Sequence, residues 1–315
     1  MAHEAGHSTL SSKMWVNHAI GYPLHMLVLV PYYGWRYSHN LHHKKTNSLE
    51  GDENFVPSTR SEWGLPPASE ATPSIYAEIL DEAPIFSLIR IFVQQFFGLE
   101  AYLMVNAAGN KAYPPGTNHY FVSSPLFKKD SSTFGIIMSE LGLATVFSSL
   151  MYYAYVTSWG NLWRMYFVPW FLMNHWIVAL VFLQHTDPTL PHFRKGAWTF
   201  LRGATCTIDR PLLGWMGIYF LHNISHHHVA HHFFSQMPFY HTYEATQAIK
   251  KVLGDDYCYD STWTLRAIYR NFTQCMFIED EGDTVFYRDR KGNPTRRMDG
   301  TGSPVPEKAV MEAEK

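Results

Sequence analysis

Two long apolar runs stand out in the hydrophobic pattern. Residues 134–156 carry a single charge, Glu140, and residues 162–183 carry Arg164 at their edge and His175 inside. A helix needs ~20 apolar residues to cross the hydrocarbon core, so both runs are predicted as membrane spans. The linker at 157–161, with Trp159 and Gly160, suits a tight hairpin at the lipid surface. Lys128, Lys129 and Asp130 precede the first span, and Arg194, Lys195, Arg202 and Arg210 follow the second. Basic residues outside both outer ends place those ends on the cytosolic side.

The remaining apolar stretches are weaker. Residues 19–35 are too short to span and contain Pro23, His25 and Pro31, which predicts a re-entrant or interfacial segment. Residues 44–84 are polar and rich in Pro, Ser and Glu, as in a cytosolic loop. In residues 85–108, Arg90, Gln94, Gln95 and Glu100 interrupt the apolar pattern at a spacing that suits an amphipathic helix in the interface. An apolar patch at 211–221 is expected to line the membrane surface. From Glu279 onward the chain is charged and punctuated by Gly and Pro, and 291–315 is expected to be a disordered tail. One domain over 1–290 is predicted, with no internal repeat.

Composition agrees with a membrane protein. Charged residues make up 17%, below the ~25% of an ordinary soluble domain. The mean hydropathy of -0.17 averages the spans with polar segments and does not argue against them. A net charge of -2 and the lack of a basic patch with interleaved aromatics exclude a nucleic-acid partner. Cys206, Cys258 and Cys275 are scattered without paired spacing, so neither a disulfide framework nor a thiolate site is expected. No cleavable signal peptide is recognised.

The chemistry lies in three histidine clusters: His3 and His7 in His-Glu-Ala-Gly-His, His39, His42 and His43 in His-Asn-Leu-His-His, and His228, His231 and His232 in His-Val-Ala-His-His. Residues three or four apart on a helix share a face. Each cluster therefore presents imidazoles in one direction, and imidazole suits iron, zinc, copper and nickel. Eight ligands exceed what one tetrahedral zinc takes and suit two metals of higher coordination. With two crossings between the second cluster and the third, and none between the first and the second, all three face one side. His3-Glu4-Ala5-Gly6-His7 also matches the H-E-x-x-H motif of zinc metalloproteases, the reading of another class. That reading leaves the later clusters unused. A carboxylate-type di-iron bundle needs two Glu-x-x-His motifs and further glutamates, and fails on counting.

As a set, the clusters resemble the three histidine boxes of membrane fatty acid desaturases. The block 183–192, Leu-Gln-His-Thr-Asp-Pro-Thr-Leu-Pro-His, and the stretch from Met237 to His241 and on through Thr246 look like their counterparts in fungal acyl-lipid Δ12 desaturases. The resemblance covers roughly residues 1–290. It implies an all-α fold, integral to the membrane, with a cytosolic histidine-rich cap holding two metals. The family's transmembrane hairpin before the first box is expected to be missing, the domain being N-terminally truncated. It also implies two iron ions, dioxygen as co-substrate, cytochrome b5 and its reductase as electron donors, and an acyl lipid substrate in the endoplasmic reticulum. The reaction implied is Δ12 desaturation of oleoyl to linoleoyl chains, with ω3 desaturation, acetylenic bond formation or hydroxylation as relatives of it. By motif position the ligands would be His3, His7, His39, His42, His43, His228, His231 and His232, with His185 as a further one. Glu4 and Asp187 are candidates for holding ring N–H groups. Phe92, Phe96, Phe97 and Tyr102 are candidates for lining the acyl path. His226 and His227 stand where the Δ12 pattern usually has an acidic residue and a threonine.

Overall fold

The structure is a computed structural model and describes residues 1–127 and 133–296. Lys128, Lys129, Asp130 and residues 297–315 of the expected tail lie outside that description.

The chain opens with α1 (Ala2–His7), α2 (Met14–Met26) and α3 (Tyr32–Lys45). Pro23 lies inside α2, which ends three residues later, as the loss of a backbone donor favours. Leu29 then adopts a left-handed conformation (φ 60°) that reverses the chain into Pro31 and α3. The tip of this hairpin is fixed deep along a long helix. Tyr166 Oη donates to Leu27 O at 2.9 Å, and Trp170 Nε1 donates to Val28 O at 3.0 Å. Those two residues lie 15 to 19 positions before His185, roughly 25 Å at 1.5 Å per residue. The segment dips and returns, so the first and second boxes sit at the same end.

α4 (Pro73–Leu80) is a helix within the expected loop, started by Thr72, whose hydroxyl accepts from Ile75 N. α5 (Pro84–Val105), α6 (Thr133–Val156) and the helix Trp159–His185 are each long and apolar enough to cross a membrane. The last begins as α7 (Trp159–Leu162), passes through a π-turn at Trp163–Phe167 and continues as α8 (Val168–His185). α6 and α7–α8 diverge from the cap and meet at the turn 157–158, where Tyr155 is 87% exposed. α5 differs because both of its ends are tied to the polar cap. At one end Arg90 stacks on Trp63 and Phe272. At the other, Tyr102 Oη donates to Asn54 Oδ1 at 2.7 Å and Val56 N to Ala108 O at 2.8 Å. Its middle crosses α8, where Asn174 Nδ2 donates to Glu100 Oε1 at 2.6 Å. Arg90 and Glu100, two of the polar interruptions of 85–108, make these contacts in a helix that is itself long and apolar enough to cross a membrane.

The cap gathers α9 (Phe200–Thr205), α10 (Trp215–Phe220), α11 (His228–Phe233), α12 (Thr242–Leu253) and α13 (Thr264–Gln274). A two-stranded antiparallel ribbon pairs β1 (His192–Phe193) with β2 (Thr284–Val285). The all-α expectation holds apart from that ribbon and isolated bridges. α10, within the expected surface patch, exposes Trp215, Ile218, Tyr219 and Phe220. The expectation of loose chain after Glu279 is corrected. Val285 and Tyr287 pack with Leu49, Val56 and Ile278 in a buried cluster. Within 291–296, Thr295 Oγ1 donates to Pro188 O at 2.8 Å and Arg296 Nη1 to Thr189 O at 3.1 Å. Apolar side chains at alternate positions give this charged segment something to bury, which its composition alone hides.

Candidate metal centre

α1, α3, α11 and the C-terminal end of α8 converge under the cap, and they sort nine imidazoles into two groups. His3, His7, His39, His43 and His231 each bring a ring nitrogen within 4.8 Å of the others. His42, His185 and His232 form a second set on the same criterion, joined by His228, whose Nε2 lies 3.0 Å from His185 Nε2. The sorting follows helix geometry rather than box membership. Residues three or four apart share a face, but adjacent residues stand ~100° apart at 3.6 residues per turn. So His39 and His43 share a group and His42 faces the other, and His228 and His232 share a group while His231 crosses over.

Six of the rings are driven toward the neutral form. Burial first, then the charge of neighbouring rings, pushes His7, His39, His43, His228, His231 and His232 well below the usual histidine range. Neutral imidazole is the form that donates a lone pair to a metal. Several rings also have their proton directed outward. His42 Nδ1 donates to Asp52 Oδ1 at 2.7 Å. His232 Nδ1 donates at 2.9 Å to Thr46 Oγ1, which in turn donates to His42 O at 2.7 Å. His228 Nδ1 lies 3.3 Å from Ile224 O. With the proton on Nδ1, Nε2 points inward as a lone pair. His231 Nε2 and His232 Nε2 are buried with no hydrogen-bond partner among the described residues, a state that is costly unless a cation takes the lone pair.

All nine histidines named from the sequence are brought together; the two carboxylates fare differently. Glu4 Oε1 lies 3.6 Å from His3 Nδ1, and its other oxygen accepts from Thr9 Oγ1 at 2.7 Å and Phe239 N at 3.3 Å. Burial alone would raise its pKa, but His3 and Thr9 outweigh burial and hold it at about 2. Asp187 does not hold a ring. Its carboxylate accepts from Arg210 Nη2 and Arg270 Nη2, each at 2.7 Å. The chain leaves α8 extended at Thr186, which turns Asp187 away from His185 although the two are near in sequence. The residue that sequence reasoning missed is Asp52, itself fixed by the amides of Asn47 and Asn54 at 2.9 Å. Its only signal was proximity to the second box.

Other candidates fall outside the centre. His226 packs under Gly217, and His227 meets Tyr243, so neither joins a ligand group. Phe92 and Phe97 face outward, 55% and 45% exposed, while Phe96 stacks on His175 and Tyr102 bonds to Asn54. None of these four lines the cavity between α5, the end of α8 and α13, and the outward pair forms an exposed apolar stripe. The single-zinc protease reading is corrected too. His3 and His7 sit in a group of five imidazoles, and Glu4 is held by Thr9 and Phe239 N.

Residues 1–263 match the family described as Fatty acid desaturase. A Δ12 fatty acid desaturase of Mortierella alpina is 44% identical over 91% of this chain and 72% of its own length. An oleate hydroxylase of Claviceps purpurea is 34% identical over 92% of this chain and 65% of its own. A fatty acid conjugase of Calendula officinalis is 37% identical over 90% and 72%. Fold, histidine clusters and sequence agree, and the chain belongs to the fatty acid desaturase family, a family of membrane oxidoreductases.

Proposed function

We propose that the protein is a di-iron acyl-lipid desaturase of the Δ12 type, converting oleoyl to linoleoyl chains. The observation that carries this reading is the division of nine imidazoles into two adjoining groups. His3, His7, His39, His43 and His231 would hold one iron, and His42, His185, His228 and His232 the other. The donor set fits. Neutral nitrogen ligands suit iron, and the unpartnered Nε2 atoms of His231 and His232 call for a cation. When bound, the iron pair supplies with dioxygen the oxidising power that side chains lack for attacking an unactivated methylene.

The chain's own residues do the rest. Asp52 and Thr46 keep the Nδ1 protons of His42 and His232 outward. Burial of the rings excludes water from the reacting atoms. A cavity of about 610 Å³ lies between α5, the end of α8 and α13, lined by apolar Val105, Phe182, Phe272 and Met276, by Thr186, and at its polar side by Glu62, Arg90 and Lys111. Its volume falls within the ~300–1,000 Å³ of small-molecule sites, and Thr186 adjoins His185, so it is the candidate path for the acyl chain. The balanced reaction takes two hydrogens from adjacent methylenes and, with dioxygen, two electrons and two protons, gives a cis double bond and two waters. Cytochrome b5 and its reductase are the proposed donors. Arg194, Lys195 and Arg202, which follow the second span, support a cytosolic cap, in the endoplasmic reticulum.

Expression in yeast with lipid analysis, beside iron analysis of the purified protein, tests the reading. Linoleate and two irons per chain are expected. A hydroxylated product would move the chain toward its hydroxylase relative, and zinc at one per chain with no lipid product would overturn the reading.

A further inference from the structure

The hairpin of α2 and α3 carries an aromatic column that the reaction above does not use. Trp35 lies flat against His39, ring centroids 4.6 Å apart and planes 18° apart. His25 covers Trp35 at 4.5 Å, Tyr32 lies 5.1 Å from His25, and Tyr33 lies 4.8 Å from Tyr32. Tyr22 closes the column at 6.2 Å from Tyr33. Two glycines are needed for it to form. A Cβ on Gly6, within the first box, would stand 2.4 Å from Trp35 Cζ3, and one on Gly21 would stand 2.7 Å from Tyr32 Cε2. Tyr32 is fully buried, and its hydroxyl lies 3.0 Å from His18 Nδ1, within hydrogen-bond reach. Contact geometry of this kind adds only about 0.5–1.5 kcal/mol per aromatic pair, which does not by itself explain why a phenol with a base partner stands next in the series.

The chemistry of the column does. Indole and phenol give up an electron more readily than imidazole or aliphatic side chains. A phenol does so readily at neutral pH when its proton leaves at the same time, and His18 is placed to receive that proton.

We propose that Trp35 and Tyr32 drain the metal centre of an oxidising equivalent when its oxidant forms with no acyl chain in reach. The inference rests on the di-iron reading above. An electron passes from Trp35 to the centre across the His39 contact. Tyr32 then returns an electron to Trp35 while its phenolic proton moves to His18 Nδ1. The net change is a centre reduced by one electron, a neutral Tyr32 phenoxyl radical and a His18 imidazolium. A one-electron reductant of the class that feeds the centre later restores Tyr32, and His18 gives the proton back.

The test uses the iron-loaded protein, reduced, mixed with dioxygen without acyl substrate, and frozen for electron paramagnetic resonance. The expected result is an organic radical that narrows when the tyrosines are ring-deuterated and is absent from Tyr32→Phe. That variant keeps the ring and its packing, so it should desaturate at the wild-type initial rate. In substrate-free turnover it should inactivate severalfold faster, with oxidised peptides spanning Trp35 and His39 accumulating by mass spectrometry. Absence of a tyrosine radical in the wild type, an unchanged signal in Tyr32→Phe, or equal inactivation and equal lesions would each overturn the proposal. A preparation that holds two irons and makes product but shows no radical overturns this inference alone. One that holds no iron overturns the functional reading with it.

Discussion

The carboxylate of Asp52 accepts the Nδ1 proton of His42 at 2.7 Å while two backbone amides fix its own position. Loss of such an outer hydrogen bond typically lowers metal affinity by about 10–100-fold. Asp52→Leu is therefore expected to lose iron first from the group of His42, His185, His228 and His232, giving near one iron per chain by elemental analysis. His42→Ala should abolish the unsaturated product at unchanged protein level, and product retained at wild-type yield would contradict its role as ligand. The histidines were legible in the sequence because helical spacing announces them. Asp52 was not, because nothing in its spacing distinguishes it from the other acidic residues, and its role depends on how the chain turns after α3. Asp187 was chosen for its nearness to His185, and backbone direction at Thr186 sends it to Arg210 and Arg270 instead.

Among the elements, α3 has the least freedom. It carries three of the nine rings, and Gly34 on its other side faces the backbone of His119. A Cβ there would stand 2.2 Å from His119 O. Because a backbone atom cannot swing aside, Gly34→Ala should shift the helix and cost about 1–3 kcal/mol, read as a lower melting temperature in detergent together with reduced iron content. A second element-scale effect concerns the ribbon segment. Hydrogen bonds from Arg60, at 2.6 and 2.8 Å, hold the Glu279 carboxyl below the usual carboxylate range. Its folded pKa lies below the unfolded value of ~4.3, so the unfolded chain binds more protons between the two. This contribution is complete above ~4.3 and fades as pH falls through the folded value. Glu279→Gln should lower stability at neutral pH yet flatten that part of the acid limb in a pH series of thermal unfolding.

For the whole molecule, the centre joins the hairpin of α2 and α3, the end of α8 and the cap around one cluster of rings. A metal that binds only this folded arrangement stabilises it by about 3 kcal/mol at a hundredfold excess over its dissociation constant. Chelation should lower the melting temperature and expose protease sites in the cap. Iron should restore both stability and product, whereas zinc should restore stability alone. Failure of chelation to change the melting temperature would separate the rings from any structural dependence on metal.

The long apolar helices at 133–156 and 159–185 and the histidine boxes followed from the sequence alone, because apolar run length and helical period are local properties of the chain. Which ring joins which group was not local. Helix period turns His42 from His43 and His231 from His232, and the packing of α1, α3, α11 and the end of α8 decides which rings meet, bringing His231 to His39 and His43 and His232 to His42. The packing of the segment after Glu279, the outward turn of Asp187 and the recruitment of Asp52 were likewise set by contacts between residues far apart in sequence. Each depends on the direction in which the backbone leaves a helix, and only the folded chain fixes that direction.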